Sequence, residues 1–278
     1  HRLAERMKGR VMAALFYEPS TRTRLSFEAA MLRLGGQTLS TENAREFSSA
    51  SKGETLEDTI RMVEAYADVI VLRHDEAGAA ARAAAVAGVP IVNAGDGPGE
   101  HPTQALLDLF TIHRELGRID GLHVVLCGDL RYGRTARSLA LLLTLYDGVR
   151  MSFVAPRVVQ MEPDILALLG DRGVPYAVTD NLLAAVTDCD VVYQTRIQKE
   201  RFTDPSEFGR ARGDTRIDAR LMERLPERAI VMHPLPRVDE IDPEVDSDPR
   251  AAYFRQARNG VAVRMALLEM LLGENGAA

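Results

Sequence analysis

Short apolar runs alternate with helical segments along this chain, and that rhythm limits the fold more than any other feature. "VMAALFY" (Val11 to Tyr17) reads as a buried strand, and Thr21 to Leu34 as a helix stopped by Gly35-Gly36 in the manner of a C-terminal cap. "ETLEDTIRMVEAYA" is helical, "DVIVL" a strand, Ala79 to Ala87 an alanine-rich helix and "PIVNAG" a strand. Pro102 opens a helix to about Leu116, at a position where a missing N–H costs nothing. After the polar break "GRIDG" (Gly117 to Gly121) come the strands "LHVVLCG", "RMSFVAP", "VPYAV", "CDVVYQ" and "RAIVMHP", with helices between them, Arg134 to Tyr146 among these. The last helical segment, Gly260 to Leu272, is apolar on one face and is expected to return to the first domain. Continuous apolar runs mark strands covered on both faces. The fold class expected is therefore α/β: two domains, each a parallel sheet flanked by helices, joined by interdomain helices. The domains expected are residues 1–116, with 260–278 returning to them, and residues 117–259.

The 278 residues suit one large domain or two of medium size. A net charge of −6 gives no reason to expect nucleic acid or an anionic membrane as partner, so any anion site has to be a local concentration of positive charge. No apolar run approaches the roughly 20 residues needed to span a bilayer. Cys127 and Cys189 both lie in apolar runs. They read as reduced core residues of a cytoplasmic protein, with a disulfide as the alternative. No signal peptide is evident. The chain begins at His1 without a methionine, so a trimmed leading segment belongs to the expectation.

Ligands of open parallel sheets bind beyond the carboxyl ends of the strands. Here "EPSTRTR" follows Tyr17, Arg73 and His74 follow Leu72, and "NAGDGPGEHPTQ" follows Val92. "GDLRYGRT" follows Cys127, "QTRIQKER" follows Tyr193, and "HPLPRVDE" follows Met232. Both halves of the chain thus deliver arginine, histidine, glutamine and hydroxyl groups, and an arginine-rich cleft between two α/β domains is the economical inference; the bland alternative is that loops are polar anyway. Arg22 and Arg24 fall in the first turn of a helix, the wrong end for cations. A bound phosphate would make that placement favourable, because free backbone N–H groups, the dipole and the hydroxyls of Ser20, Thr21 and Thr23 all suit an anion. The alternative is that Ser20 or Thr21 simply caps the helix and the arginines face solvent.

Taken together, "STRTR", "KGETLEDT", "HPTQ", "GDLRYGRT", "TRIQKER" and "HPLPRVDE", in this order, resemble the catalytic chains of the aspartate transcarbamoylase (aspartate carbamoyltransferase) family. The resemblance runs from about Lys8 to Leu272, and the family's usual leading helix is expected to be missing or shortened here. What it implies is transfer of a carbamoyl group from carbamoyl phosphate to the amino group of L-aspartate, in de novo pyrimidine synthesis, without metal or organic cofactor. Ser20, Thr21, Arg22 and Thr23 match the phosphate-binding turn. Arg73 matches the arginine that reaches the phosphate and carbonyl oxygen, His101 the histidine on the carbamoyl carbonyl, and Gln104 the residue that holds the carbamoyl amide. Arg134, Arg196 and Gln198 match the groups that bind aspartate's carboxylates, with Thr135 beside them. Leu235 and Pro236 match backbone carbonyls near the reacting amine. Ser48 and Lys52 match a loop that reaches into a neighbouring subunit's site, which implies a homotrimer with shared active sites. A separate regulatory chain is left open.

The chemistry of these residues agrees with that expectation. Attack by an amine on a carbonyl carbon creates a tetrahedral oxyanion, for which Thr23, Arg73 and His101 are candidate donors. His101 precedes a helix start, where the dipole disfavours imidazolium, so a neutral histidine donating a hydrogen bond is expected; a plain helix cap is the alternative. Guanidinium binds carboxylate as a fork, which suits two arginines to a dicarboxylate. A lysine in the polar stretch "SSASKGE" is ordinarily solvated, so only the resemblance singles out Lys52. Two rivals remain in view. An ornithine-using relative would be expected to carry "HCLP" and "SMG" where this chain has "HPLP" and the "TRIQ" clamp. A dinucleotide-binding protein would need a G-x-G-x-x-G spacing that Gly128 and Gly133 do not meet. An inactive relative serving in assembly is a third possibility, against which the intact motifs speak.

Overall fold

The computed structural model describes residues 3–44, 52–97, 99–197, 209 and 215–273. The chain divides into two compact units, His1–Thr103 with Gly260–Ala278, and Gln104–Asn259.

In the first unit, strands β1 (Val11–Phe16), β2 (Gln37–Glu42), β3 (Val69–His74) and β4 (Ile91–Asp96) form an all-parallel sheet of order β2-β1-β3-β4. Helices α1 (Thr21–Arg33), α2 (Leu56–Val63) and α3 (Ala79–Val86) make the connections. Successive side chains of a strand point to opposite faces. Met12, Ala14 and Phe16 of β1 and Val69 and Val71 of β3 accordingly join one core, with Phe27, Ala30 and Met31 of α1. Ala13, Leu15, Ile70 and Leu72 join the core on the other face, with Leu56 and Ile60 of α2 and Ala79 and Ala83 of α3. That double burial is why β1 and β3 read as unbroken apolar runs.

Helix α1 ends as its glycines require. Gly35 takes φ +86, its N–H reaches the Leu32 carbonyl at 3.0 Å, and the Gly36 N–H reaches Met31 at 3.0 Å. This is the paired-bond glycine stop of a helix. A Cβ on Gly35 would lie 1.8 Å from the Ala4 carbonyl oxygen, so the position admits no side chain. Strand β2 has no counterpart among the sequence expectations. Its residues, "QTLSTE", are exposed or half-buried, and it is an edge strand paired only to β1. Pairing makes it a strand, and an apolar pattern does not.

In the second unit, β5 (His123–Cys127), β6 (Arg150–Val154), β7 (Tyr176–Thr179), β8 (Val191–Gln194) and β9 (Ile230–Met232) form a parallel sheet of order β7-β6-β5-β8-β9. One face packs on Leu109 and Ile112 of α4 (Pro102–Leu116), on Leu139 and Leu143 of α5 (Arg134–Leu143), and on Ile165 and Leu169 of α6 (Pro163–Asp171). The other face packs on Leu182 of α7 (Leu182–Ala185) and on Leu221 and Met222 of α8 (Ala219–Met222). Cys127 and Cys189 are buried and not joined in a disulfide. Burial pushes the Cys189 thiol up to about 12, and that of Cys127 higher still. Both are inert core groups.

The final helix, α9 (Tyr253–Leu272), starts seven residues before the expected Gly260. Its first turns, up to Asn259, belong to the second unit and the remainder to the first. The early turns escape a periodicity reading because they bury polar groups. Gln256 and Asn259 are almost fully buried, Gln256 Nε2 donating to Asp108 Oδ1 at 2.7 Å and Asn259 Nδ2 to Thr111 Oγ1 at 3.0 Å. Buried polar groups with partners in place are stable, but they leave no apolar stripe in the sequence.

In both sheets the strand order reverses direction at one place. The chain leaves β1 for β2 on one side and then crosses to β3 on the other. It leaves β5 for β6 and β7, then crosses to β8 and β9. Ligands of such sheets bind at these switch points, beyond the strand C-termini. They lie here at the ends of β1 and β3, and of β5 and β8.

Candidate active site

At the first switch point, β1 runs into α1 through Ser20, whose extended backbone (φ −157°) makes it the N-cap residue. Its side chain does not cap the helix. The Ser20 hydroxyl donates instead to Thr23 Oγ1 at 3.0 Å. The contrast within the chain is plain. Thr55 caps α2, Asn181 caps α7 and Asp218 caps α8, each by accepting a backbone N–H. The first turn of α1 has no acidic residue either. The plain-cap alternative for "STRTR" is thereby excluded for Ser20.

The two arginines of that turn separate. Arg24 donates to Glu28 Oε1 at 3.0 Å and to Glu42 Oε2 at 3.1 Å, so it ties α1 to β2. Arg22 has no ion-pair or hydrogen-bond partner among the described residues, and partial desolvation draws its guanidinium below the ordinary arginine value. Thr23 is buried, and Thr21 is exposed.

Arg73, one residue before the end of β3, lies opposite Phe16 of β1 and is 7% exposed. One guanidinium nitrogen donates to the Ala94 carbonyl at 3.1 Å, and another pairs with Glu18 Oε2 at 2.8 Å. Glu18 was not singled out by the sequence. It sets the direction of the Arg73 fork, and any anion there shares the guanidinium with it. At the end of β4, Asp96 closes the loop that delivers His101, accepting the N–H of Glu100 at 2.7 Å and of Gly78 at 2.9 Å. His101 is 5% exposed and directly precedes α4, whose first turn has no acidic residue. Lys52 is exposed, without a partner among the described residues, in the turn before α2. Ser48 lies outside the described residues.

The second switch point is built in the same style. Gly128, at φ +98, lets β5 turn against β8: a Cβ there would lie 2.1 Å from the Thr195 carbonyl oxygen. Gly133 passes so close to Asp129 that its Cβ would lie 2.0 Å from that carbonyl oxygen. These two glycines serve close backbone packing and not a nucleotide turn. Thr195 locks the junction, its N–H and its hydroxyl both donating to the Cys127 carbonyl at 2.9 Å. Gly133 is the N-cap of α5 and supplies no side-chain cap, and α5 opens on Arg134 and Thr135 with no acidic residue in its first turn. Arg196 follows β8, two residues beyond the Cys127–Gln194 pairing. Arg134, Thr135 and Arg196 are all half-buried. Gln198 lies outside the described residues.

Gln104, on the first turn of α4, donates from Nε2 to Asp108 Oδ1 at 2.8 Å. This i,i+4 amide–carboxylate spacing is legible in "QALLD", although the sequence reading did not use it. Leu235 and Pro236 follow β9. Leu235 sits at φ 54, in the left-handed region that a branched residue occupies only when its surroundings impose it. The restraint is His233, which is buried. Its Nδ1 accepts the Leu235 N–H at 2.8 Å, its Nε2 lies 2.8 Å from Glu240 Oε1, and its own N–H donates to Gln256 Oε1 at 2.9 Å. With Nδ1 accepting, the ring proton sits on Nε2 and is donated to Glu240. Burial pushes the Glu240 carboxyl up, but the bonds from His233 and from backbone N–H groups outweigh it and leave the carboxyl below its usual range.

Two family models match the chain. Residues 1–114 match the aspartate/ornithine carbamoyltransferase carbamoyl-P binding domain, and residues 120–271 the Asp/Orn binding domain of the same family. The chain belongs to the aspartate/ornithine carbamoyltransferase family. Within it, the chain is 61% identical over 267 residues to a chloroplastic aspartate carbamoyltransferase of Oryza sativa subsp. japonica, covering 96% of this chain and 74% of the relative. Its structure is similar to the catalytic subunit of M. jannaschii aspartate transcarbamoylase, with TM-score 0.92, 48% identity, and coverage of 100% of this chain and 90% of that one. It is also similar to the aspartate transcarbamoylase of Trypanosoma cruzi in complex with carbamoyl phosphate and aspartate, with TM-score 0.90, 47% identity, and coverage of 97% and 86%. The α/β fold with two parallel sheets is that of this family. Among the described residues, no helix is long and apolar enough to cross a membrane.

Proposed function

We propose that this chain is an aspartate carbamoyltransferase: it transfers the carbamoyl group of carbamoyl phosphate to the amino group of L-aspartate, giving N-carbamoyl-L-aspartate and phosphate, in pyrimidine synthesis. One observation carries the reading. At each sheet's switch point a helix begins without a side-chain cap, without an acidic residue in its first turn, and with an arginine in that turn. Free N–H groups and a positive dipole end at such a helix start favour an anion. The substrates supply these anions: a phosphate on the donor and two carboxylates on the acceptor. The ligands named for the T. cruzi relative are the same two molecules.

The roles proposed are those that the family resemblance implies, and the local geometry of the described residues supports them. Ser20, Thr21, Arg22 and Thr23 take the phosphate at the start of α1, with Arg73. Thr23, Arg73 and His101 donate to the carbamoyl oxygen as the amine attacks, which stabilises the tetrahedral oxyanion and the charge on the departing phosphate. Gln104 presents Oε1 to the carbamoyl amide, since its Nε2 is held by Asp108. Arg134 and Arg196, with Thr135 and Gln198, take aspartate's carboxylates, and the Leu235 and Pro236 carbonyls accept from its amine. Arginine forks favour a dicarboxylate over the cationic side chain of ornithine. The unit His1–Thr103 with Gly260–Ala278 is read as the carbamoyl phosphate-binding domain, and Gln104–Asn259 as the aspartate-binding domain. The test is an assay for carbamoyl aspartate with wild type and with Arg196→Ala. Wild type turns over, and the variant shows a raised KM for aspartate and a lower kcat through misalignment. Normal use of aspartate by the variant sinks the role of Arg196.

We also propose a homotrimer whose sites are shared, with Ser48 and Lys52 serving a neighbouring subunit. Exposure of Lys52 without a partner of its own supports that reading. Mixed trimers of Lys52→Ala and His101→Ala chains are expected to recover activity that neither variant has alone. Failure in verified mixed trimers counts against sharing. Co-purification with a second polypeptide type tests for a regulatory chain. The buried thiols fit a reducing compartment, read as the cytoplasm, although the rice relative is named as chloroplastic.

A further inference from the structure

The segment "HPLPRVDE", His233 to Glu240, leaves the end of β9 and is closed on itself by its two terminal side chains. His233 is 1% exposed, and its Nε2 lies 2.8 Å from Glu240 Oε1. The other carboxylate oxygen, Oε2, accepts the N–H groups of Val238 and Asp239, each at 3.1 Å. On the far side of the ring, Nδ1 accepts the Leu235 N–H at 2.8 Å. A backbone N–H only donates and a carboxylate only accepts, so the proton of the neutral ring has one place, Nε2. Glu240 thus reaches Leu235 through the imidazole: it holds the ring proton on Nε2 and so presents the Nδ1 lone pair to the Leu235 N–H. That bond matters because Leu235 stands at φ 54, a conformation in which Cβ crowds the backbone and which persists only under restraint. Release to an ordinary negative φ would turn the Leu235 carbonyl, and the chain after it, in a new direction. The rest of the segment is anchored by other means. The Glu240 backbone carbonyl accepts the Ile217 N–H at 2.9 Å, and Arg237 grips both carboxylate oxygens of Asp246 and lies 5.3 Å from the centre of the Tyr253 ring.

We propose that Glu240 is a positioning residue for the acceptor half of the reaction: by fixing the His233 tautomer it holds Leu235 in its left-handed conformation, and so aims the Leu235 and Pro236 carbonyls at the attacking amine. Glu240 acts through His233 and is assigned to neither substrate. The inference rests on the reaction proposed above, and it deepens that reading by naming what orients two backbone groups. A backbone carbonyl has no rotamer of its own; its direction comes from φ and ψ, and here a ring two residues back sets them.

Glu240→Gln separates this role from simple support of the fold. Glutamine has one acceptor oxygen where the carboxylate has two. The Val238 and Asp239 N–H groups together claim it, so the NH2 turns to His233 Nε2 and forces that nitrogen to accept. The ring proton moves to Nδ1, where it meets the Leu235 N–H, and the bond is lost. The expected result is a fall of about tenfold in kcat/KM for aspartate, the scale of one hydrogen bond, with KM for carbamoyl phosphate within about twofold. A second pair of variants carries the test if the Gln protein does not fold. In His233→Asn the side-chain oxygen stands in the place of Nδ1 and accepts the Leu235 N–H; in His233→Leu an apolar group fills the site without an acceptor. The Asn variant is expected to keep kcat/KM for aspartate within about threefold of wild type and the Leu variant to lose about tenfold, whichever of the two melts at the higher temperature. A role in packing alone predicts the reverse order, since leucine is the better filler of a buried site. A folded Gln variant with undiminished kcat/KM for aspartate overturns the proposal, as does a Gln variant that raises both KM values alike, or an Asn variant no better than Leu. A wild type that makes no carbamoyl aspartate overturns the assigned reaction, and this inference with it, so the two failures are told apart.

Discussion

His101→Ala is expected to lower kcat on the order of 10²–10³-fold, the usual loss when one donor of an oxyanion site is removed. His101 is 5% exposed, directly before Pro102 at the start of α4, at the end of a loop pinned by the Asp96 carboxylate. A side chain so placed is already ordered before substrate binds, so its donated bond costs no reorganisation during the reaction. Because His101 is buried, some loss of Tm is expected beside the kinetic loss. Steady-state kinetics and thermal melts on the same preparation provide the check. A folded variant with undiminished kcat removes His101 from the mechanism.

Arg73→Ala is expected to reduce kcat/KM for carbamoyl phosphate by a similar factor, on the order of 10²–10³, and here stability falls as well. Arg73 is buried near the end of β3, and its guanidinium bridges the Ala94 carbonyl and Glu18. Its removal leaves a buried carbonyl without that donor, which costs about 1–3 kcal/mol. Glu18 is half-buried and can turn to water, so its loss of a partner adds less. Arg73→Lys tests the fork specifically. A lysine is a point charge with no rigid pair of donors, so it restores charge but cannot hold carbonyl, carboxylate and phosphate together. Recovery of full kcat/KM in the Lys variant would show that charge alone suffices and that the fork geometry is irrelevant.

The sequence was most informative where a residue's position follows from local rules. β1 and β3 are apolar on both faces and were legible as strands; Gly35 and Gly36 were legible as a helix stop. Arg22 at a helix N-terminus pointed to an anion, because an arginine there is unfavourable without one. Arg24 looked equivalent, and only the strand β2 that brings Glu42 to it made it an internal tie. β2 itself was missed because an exposed edge strand needs a neighbour and not an apolar pattern. The early turns of α9 were missed for the opposite reason: they are buried, but through Gln256 and Asn259, whose partners lie far away in sequence.

What the sequence determined by itself was the class of fold, the family and the chemical inventory: apolar strands separated by helices, with arginine, histidine and hydroxyl groups at their carboxyl ends. These follow from side-chain period and from residue types fixed at short spacings. What only the tertiary structure decided was which of those groups are tied and which are presented. Arg24 is consumed by two carboxylates, Ser20 declines to cap its helix, and Asp108 turns Gln104 to show its oxygen. The reason is physical: a hydrogen bond's direction depends on partners brought together by folding, often more than a hundred residues apart as with Asp108 and Gln256, and no local pattern encodes that meeting.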